Sequence, residues 1–177
     1  MRTSAIFALA LMAASTNIAN ADSYIGASYG VKAPLAGSVG DQFSTADARN
    51  ARLILGQRIG NIALEGSLFG TELFRGQEKN HTLSLGLDLK YHFPLLLALG
   101  AYGKVGVHRT WLQADDDILD SYSGNSYALG GGLDFTFTVV TLFVDYTHQN
   151  LNLKSDRSSV VLGGNANLFS AGLTLHF

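Results

Sequence analysis

Residues 81–93, HTLSLGLDLKYHF, alternate without a fault. Leu83, Leu85, Leu87, Leu89, Tyr91 and Phe93 hold one parity, and Thr82, Ser84, Gly86, Asp88, Lys90 and His92 hold the other. A period of two is that of a strand with one apolar face; a helix would scatter the same leucines around its axis. Seven further segments follow the rule: 24–31, 51–59, 62–69, 97–111, 127–137, 140–149 and 167–177. In 140–149, for example, Val140, Leu142, Val144 and Tyr146 oppose Thr141, Asp145, Thr147 and Gln149. Eight strands result, most of them near the ~9–11 residues with which a tilted strand crosses a bilayer. Gly60-Asn61, Pro94-Leu95 and Thr138-Val139 read as tight turns, and 32–50, 70–80, 112–126 and 150–166 as longer polar loops. Short turns alternating with long loops predict an all-β fold: an eight-stranded antiparallel up-and-down transmembrane β-barrel with both termini at the short-turn end.

Period two alone does not say which face meets which solvent, because a soluble eight-stranded barrel alternates as well, with its apolar face inside. Two features favour the membrane version. The polar parity is full of glycine (Gly26, Gly30, Gly56, Gly86, Gly100, Gly106, Gly130, Gly132, Gly172), as the narrow lumen of eight strands requires and a water-facing surface does not. On the apolar parity, Tyr91, Phe93, Phe135, Phe137 and Phe177 fall near the short turns and Tyr29, Trp111, Tyr127, Tyr146 and Phe169 near the loops, which makes two belts for two membrane interfaces. The last strand carries Phe169, Ala171, Leu173, Leu175 and Phe177 at every second place.

Composition agrees. Of 177 residues only 15% are charged, glycine numbers 20 and proline 2, against about 25% charged in a typical soluble domain. The net charge of −2 supplies no basic field for nucleic acid. With no cysteine, the chain has no disulfide, thiol nucleophile or Cys-ligated zinc. Residues 1–21, MRTSAIFALALMAASTNIANA, have the form of a secretory signal peptide: Arg2, an apolar run, and Ala19-Asn20-Ala21 ahead of a cleavage site before Asp22. The domain expected after it is the barrel, 22–177.

The segments LSLGLDLKYHFP (83–94), AYGKVGVHRTW (101–111), YALGGGLDFTF (127–137), FVDYTHQN (143–150) and LFSAGLTLHF (168–177) resemble the eight-stranded outer membrane β-barrels typified by the transmembrane domain of outer membrane protein A. That resemblance implies export to a Gram-negative outer membrane and contact with its lipid and lipopolysaccharide. It also implies folding by the barrel-assembly machinery through the terminal strand, with Phe169, Leu173, Leu175 and Phe177 as the assembly signal. No peptidoglycan-binding domain is expected after the barrel.

Parity places Glu65, Asp88, Asp134 and Asp145 in the lumen with Arg52, Arg58, Lys90 and Lys104. Enclosed charge is costly unless partnered, so four acids and four bases predict a paired network that fills the lumen; the alternative is a gated ion path whose pairs exchange partners. Catalysis is not expected. Lipid A deacylases of this architecture use a His-x-Ser pair facing the lipid, and here His148 is followed by Asn150 where the nucleophile would stand. His81, His92, His108 and His176 lack a shared metal-ligand spacing and are expected in lumen or rim hydrogen bonds. Asp115, Asp116, Asp117 and Asp120 form an acidic run that lacks the glycine and terminal glutamate of a calcium loop. No cofactor is expected, and a host or surface ligand would engage the long loops.

Overall fold

In lipid every backbone N–H and C=O must find a partner within the protein, and a sheet achieves this only by closing on itself. The computed structural model describes residues 21–31, 35–38, 49–75, 78–113, 122–155 and 161–177. Its strands are β1 (Ala21–Val31), β2 (Leu35–Gly37), β3 (Arg49–Ile59), β4 (Ile62–Arg75), β5 (Glu78–Pro94), β6 (Leu99–Gln113), β7 (Tyr122–Phe137), β8 (Val140–Ser155) and β9 (Val161–His176). Each long strand pairs antiparallel with the next, and β1 pairs with β9, so eight long strands form a closed barrel. The short β2 pairs with β9 beyond the reach of β1, at Leu35↔Ala166.

The apolar parity points outward. Leu53, Leu87, Leu129 and Val144 are exposed, as are the aromatics Tyr91, Phe93 and Phe135 near the short turns and Tyr29, Tyr127 and Phe169 near the loops. On the opposite parity, Arg52, Glu65, Asp88, Lys90, Lys104 and Asp145 are buried. Among the described residues no helix is long and apolar enough to cross a membrane; the crossing elements are strands.

The strands run further than the alternation indicated. Most of 70–80 belongs to β4 and β5, and much of 112–126 and 150–166 to β6, β7, β8 and β9. Beyond the outer aromatic belt the pattern inverts. In β8 the outward positions change from Val144 and Tyr146 to Asn150, Asn152 and Lys154, while the inward ones change from Thr147 and Gln149 to Leu151 and Leu153. An apolar outward face suits lipid; past the membrane, water surrounds the wall and the lumen becomes the dry side. Phe69, Leu112, Leu151, Leu153, Ala166 and Leu168 accordingly pack into an apolar core inside the loop end of the barrel.

At the other end two turns are as expected. Gly60 (φ 58°) and Thr138 (φ 55°) each take the first place of a two-residue hairpin turn, the position that favours glycine. The turn at Pro94-Leu95 is longer than expected. Leu95 to Ala98 form it, β6 starts at Leu99 rather than Leu97, and the amides of Leu95 and Leu96 both donate to the Leu99 carbonyl. The leader expected over 1–21 lies outside the described residues as far as Asn20, and so do Asp115, Asp116, Asp117 and Asp120.

Candidate functional site

The middle of the lumen is a charge cluster held by four neighbouring strands and closed by a fifth. β3 supplies Arg52, β4 Glu65, β5 Asp88 and Lys90, β6 Lys104, and β8 Asp145. The Arg52 guanidinium donates to Glu65 Oε2 at 2.8 Å and to Asp145 Oδ2 at 3.3 Å, and its second terminal nitrogen stands 4.0 Å from Asp88 Oδ2. Lys90 donates to Glu65 Oε1 at 2.6 Å, and Lys104 bonds Asp145 Oδ2. Tyr24 donates its phenol proton to Glu65 Oε1 at 2.9 Å, and Ser170 donates to Asp145 Oδ1 at 2.7 Å. Glu65 therefore receives three donors, and Arg52 joins the two halves of the cluster across the barrel. Glycine makes this arrangement fit. A Cβ at Gly106, which faces Asp88 in the register, would fall on the Asp88 carboxylate.

Below the cluster, Tyr24, Ile54, Ala63, Tyr102 and Phe143 form a small apolar layer. Lys90 Nζ lies 4.4 Å from the centre of the Tyr102 ring, so the ammonium is held by a carboxylate and a ring face together. Above the cluster, Ser84 and Thr110 share a hydrogen bond at 2.8 Å, and Gln149 donates to Ser126 at 2.7 Å. The apolar core at the loop end closes the stack.

Two residues expected in the network stand apart from it. Arg58 is only half-buried and donates to the Gly60 carbonyl at the short-turn rim. Asp134 takes His92 as its partner, with Nδ1 at 2.9 Å, rather than a lysine or arginine. Parity fixes the face of a strand but not the height along the barrel, and both residues sit too near the rim to reach the centre. The histidines divide similarly. His92, His108 and His176 line the lumen, each against a carboxylate: Asp134, Asp88 at 3.0 Å, and Asp22 at 2.7 Å. His81 is exposed and lies outside the lumen. These His–Asp pairs had no sequence signal, since the partners are 20 to 154 residues apart.

On the outer wall, His148 Nδ1 lies 2.8 Å from Asn167 Oδ1, and Asn150 donates to Asn165 at 3.0 Å, so the positions tested against the deacylase pattern are engaged in cross-strand polar pairs. Phe169, Leu173, Leu175 and Phe177 all face outward and are exposed. Among the described residues no group of three or more His, Asp or Glu is placed to hold a metal ion.

Comparison with known proteins agrees with this architecture. Neisserial surface protein A is similar over 88% of this chain and 97% of its own, at 17% identity and a TM-score of 0.74. Ail, the attachment invasion locus protein of Yersinia pestis, covers 89% of this chain and 99% of its own at 17% identity and a TM-score of 0.58. OprG of Pseudomonas aeruginosa covers 89% and 96% at 15% identity and a TM-score of 0.55. At these identities the likeness is one of fold. No curated protein sequence matches the chain. The family model for the outer membrane protein beta-barrel domain matches residues 4–177. With a closed barrel, a lipid-facing apolar wall and a family match over nearly its whole length, the chain belongs to the outer membrane protein beta-barrel domain family and resides in the outer membrane of a Gram-negative bacterium.

Proposed function

We propose that this chain is a non-catalytic, sealed barrel that holds its long-loop end above the outer membrane for surface interaction. The observation that carries the reading is the inversion of pattern past the outer aromatic belt. Leu112, Leu151, Leu153 and Leu168 fill the lumen there while Asn150, Asn152 and Lys154 face out. A dry core in that position rigidifies a stub that stands in water and carries the loops. It also places an apolar plug in series with the charge cluster, and that plug offers an ion no ligand in exchange for water. Ail, whose name records attachment, has been solved with the heparin analogue sucrose octasulfate. A sulfated saccharide is on that ground the first surface ligand to try here.

The test uses proteoliposomes. Wild type is expected to bind immobilised heparin; a variant with 156–160, which holds Arg157, replaced by a short Gly-Ser turn is expected to lose binding, and one with the acidic 114–121 replaced is expected to gain it, both still migrating as folded, heat-modifiable barrels. Conductance steps in a planar bilayer, or lipid A or phospholipid deacylation above background, would overturn the sealed, non-catalytic assignment. A narrow ion path is the second reading. It draws on Arg52 Nε, Asp88 Oδ2, Tyr102 OH and His108 Nδ1, which are buried without a hydrogen-bond partner and so call for water in the lumen.

For biogenesis we assign residues 1–21 as a secretory leader, and Phe169, Leu173, Leu175 and Phe177 as the face of β9 read by the barrel-assembly machinery. Support comes from the leader's composition and from the continuous outward row on the strand that closes the barrel.

A further inference from the structure

Three leucines in succession close the β5–β6 hairpin at the short-turn end of the barrel. Residues 94–103 carry no charged side chain, and the turn itself, Leu95-Leu96-Leu97-Ala98, holds none of the glycine, asparagine, aspartate or serine that turns in water favour. Leu95 and Leu96 are 53% and 74% exposed, and Leu97 is fully exposed. The shape of the turn comes from its backbone. The amides of Leu95 and Leu96 donate to the Leu99 carbonyl, the Leu99 amide donates back to the Leu96 carbonyl at 3.1 Å, and the Ala98 carbonyl accepts from the Thr136 amide on β7 at 2.8 Å. A fixed frame thus presents three apolar side chains that belong to neither apolar core of the lumen. The other two turns differ. Each has two residues, one of them polar: Asn61 in Gly60-Asn61 and Thr138 in Thr138-Val139.

Continuity with the lipid-facing wall identifies what covers this turn. The outward parity of β5 runs through Leu85, Leu87, Leu89, Tyr91 and Phe93 and continues into Leu95. The Tyr91 and Phe93 rings touch, with 4.7 Å between their centres. Apolar surface therefore extends unbroken from the acyl chains, through the inner aromatic belt, to the tip of the turn. Exposed apolar surface of this kind marks a contact. A soluble partner would cover the tip alone, whereas a leaflet that reaches the tip covers the whole strip.

The far side of the ring is different. There β1 and β3 carry Ser23 and Gln57 on the outward parity as register partners, with Ile59 and Ile62 beyond them and Asn61 at the turn. The apolar edge of the wall is lower at β5 and β6 than at β1 and β3. A flat bilayer accommodates such an edge when the barrel leans.

We propose that the 95–98 turn is a membrane foot. It inserts among the headgroups and upper acyl carbons of phospholipid in the periplasmic leaflet, and the barrel leans toward β5 and β6 to seat it. Apolar groups at an interface sink about 5–10 Å into the boundary between headgroups and acyl chains. The hydrogen bonds that close the turn let its backbone follow the side chains there.

Depth is read with tryptophan in vesicles of phosphatidylcholine brominated either just below the headgroup or deep in the acyl chain. Trp111→Phe removes the single tryptophan. Every probe is placed in that background and first shown to be folded by heat-modifiable migration, with Leu96→Trp standing in if Leu97→Trp fails. Leu97→Trp is expected to be quenched by the shallow bromolipid at least half as strongly as Phe93→Trp and to be shielded from iodide present on both sides of the membrane. Asn61→Trp is expected to behave in the reverse way. The lean has its own readout. Adding Leu96→Asp/Leu97→Asp is expected to raise the ratio of shallow to deep quenching at Phe93→Trp, because that wall lifts, and to lower it at Ile25→Trp on the far wall. Iodide quenching of Leu97→Trp equal to that of Asn61→Trp would overturn the foot and leave the tip to a periplasmic protein. Ratios that stay unchanged at both Phe93→Trp and Ile25→Trp would overturn the lean.

Discussion

Glu65 is the residue on which the lumen depends most. Its carboxylate receives Tyr24, Lys90 and Arg52 and is 1% exposed. Removing one member of a buried ion cluster leaves the others charged and unpartnered, at a cost of about 3–5 kcal/mol. Glu65→Ala is therefore expected to lose about that much stability in urea unfolding from lipid vesicles. Adding Lys90→Met to the same chain is expected to return part of it, because one uncompensated ammonium is then gone. Equal loss in the single and double variants would show that the pair is not coupled. Thr138 has the opposite sign. Its φ of 55° lies in the left-handed region, which costs an L-residue about 1–2 kcal/mol. Gly60 fills the equivalent place in the first hairpin. Thr138→Gly is expected to stabilise the barrel by up to about 1 kcal/mol, the gain being trimmed by glycine's larger backbone entropy. A loss of stability would mean that the hydroxyl or methyl group has a role outside the turn. Neither residue could be valued from sequence. Glu65 was placed on the right face by alternation, but its three partners come from β1, β3 and β5, and register and height along those strands, which alternation does not give, decide which residues reach it.

At the level of strands, one alternating pattern serves two solvents. Leu87 faces lipid in β5 and is 43% exposed, whereas Leu153 faces a dry lumen in β8 and is 2% exposed. Their substitutions should therefore separate. Leu87→Arg puts a charge on the lipid face and is expected to cost about 2–4 kcal/mol near the bilayer midplane, lowering global stability in vesicles. Leu153→Asn leaves a polar group in the apolar core at the loop end. It is expected to speed hydrogen exchange and proteolysis in the outer parts of β8 and β9 while the membrane-spanning part keeps its protection. If Leu153→Asn destabilised the whole barrel as much as Leu87→Arg, the stub would not be a separable layer. The eight crossings were legible because lipid demands an apolar wall along each one. The stub was not, because outward polar residues such as Asn150, Asn152 and Lys154 look the same in a loop as in a strand that has left the membrane. The signal was present in Leu151 and Leu153, which keep the inward parity of Thr147 and Gln149 while reversing its polarity.

For the barrel as a whole, stability rests on a ring of pairings that is uneven. β4 and β5 pair along the full length of Ile62–Arg75, whereas among the described residues β1 and β9 meet through residues 23–29 and 171–177, with β2 adding three residues at the loop end. Sequential hairpins form between neighbours in the chain, whereas this seam joins residues almost 150 positions apart, so it carries the largest loop-closure cost and the fewest ladder bonds. Opening should begin there. A chain without cysteine allows a direct test, since Ala27 and Leu173 are register partners across the seam and Leu64 and Leu89 are partners across the β4–β5 ladder. A disulfide in either place restricts the unfolded chain, by about 5 kcal/mol for the seam and about 3.5 for the hairpin in the chain-entropy limit. The seam disulfide, Ala27→Cys/Leu173→Cys, should add a further effect by blocking the first step of unfolding. It is expected to slow the loss of the heat-resistant band far more than Leu64→Cys/Leu89→Cys does, with both differences abolished by reductant. If the hairpin lock slowed unfolding as much as the seam lock, the barrel would open between other strands, and the uneven pairing of β1 would have no bearing on how long the protein survives.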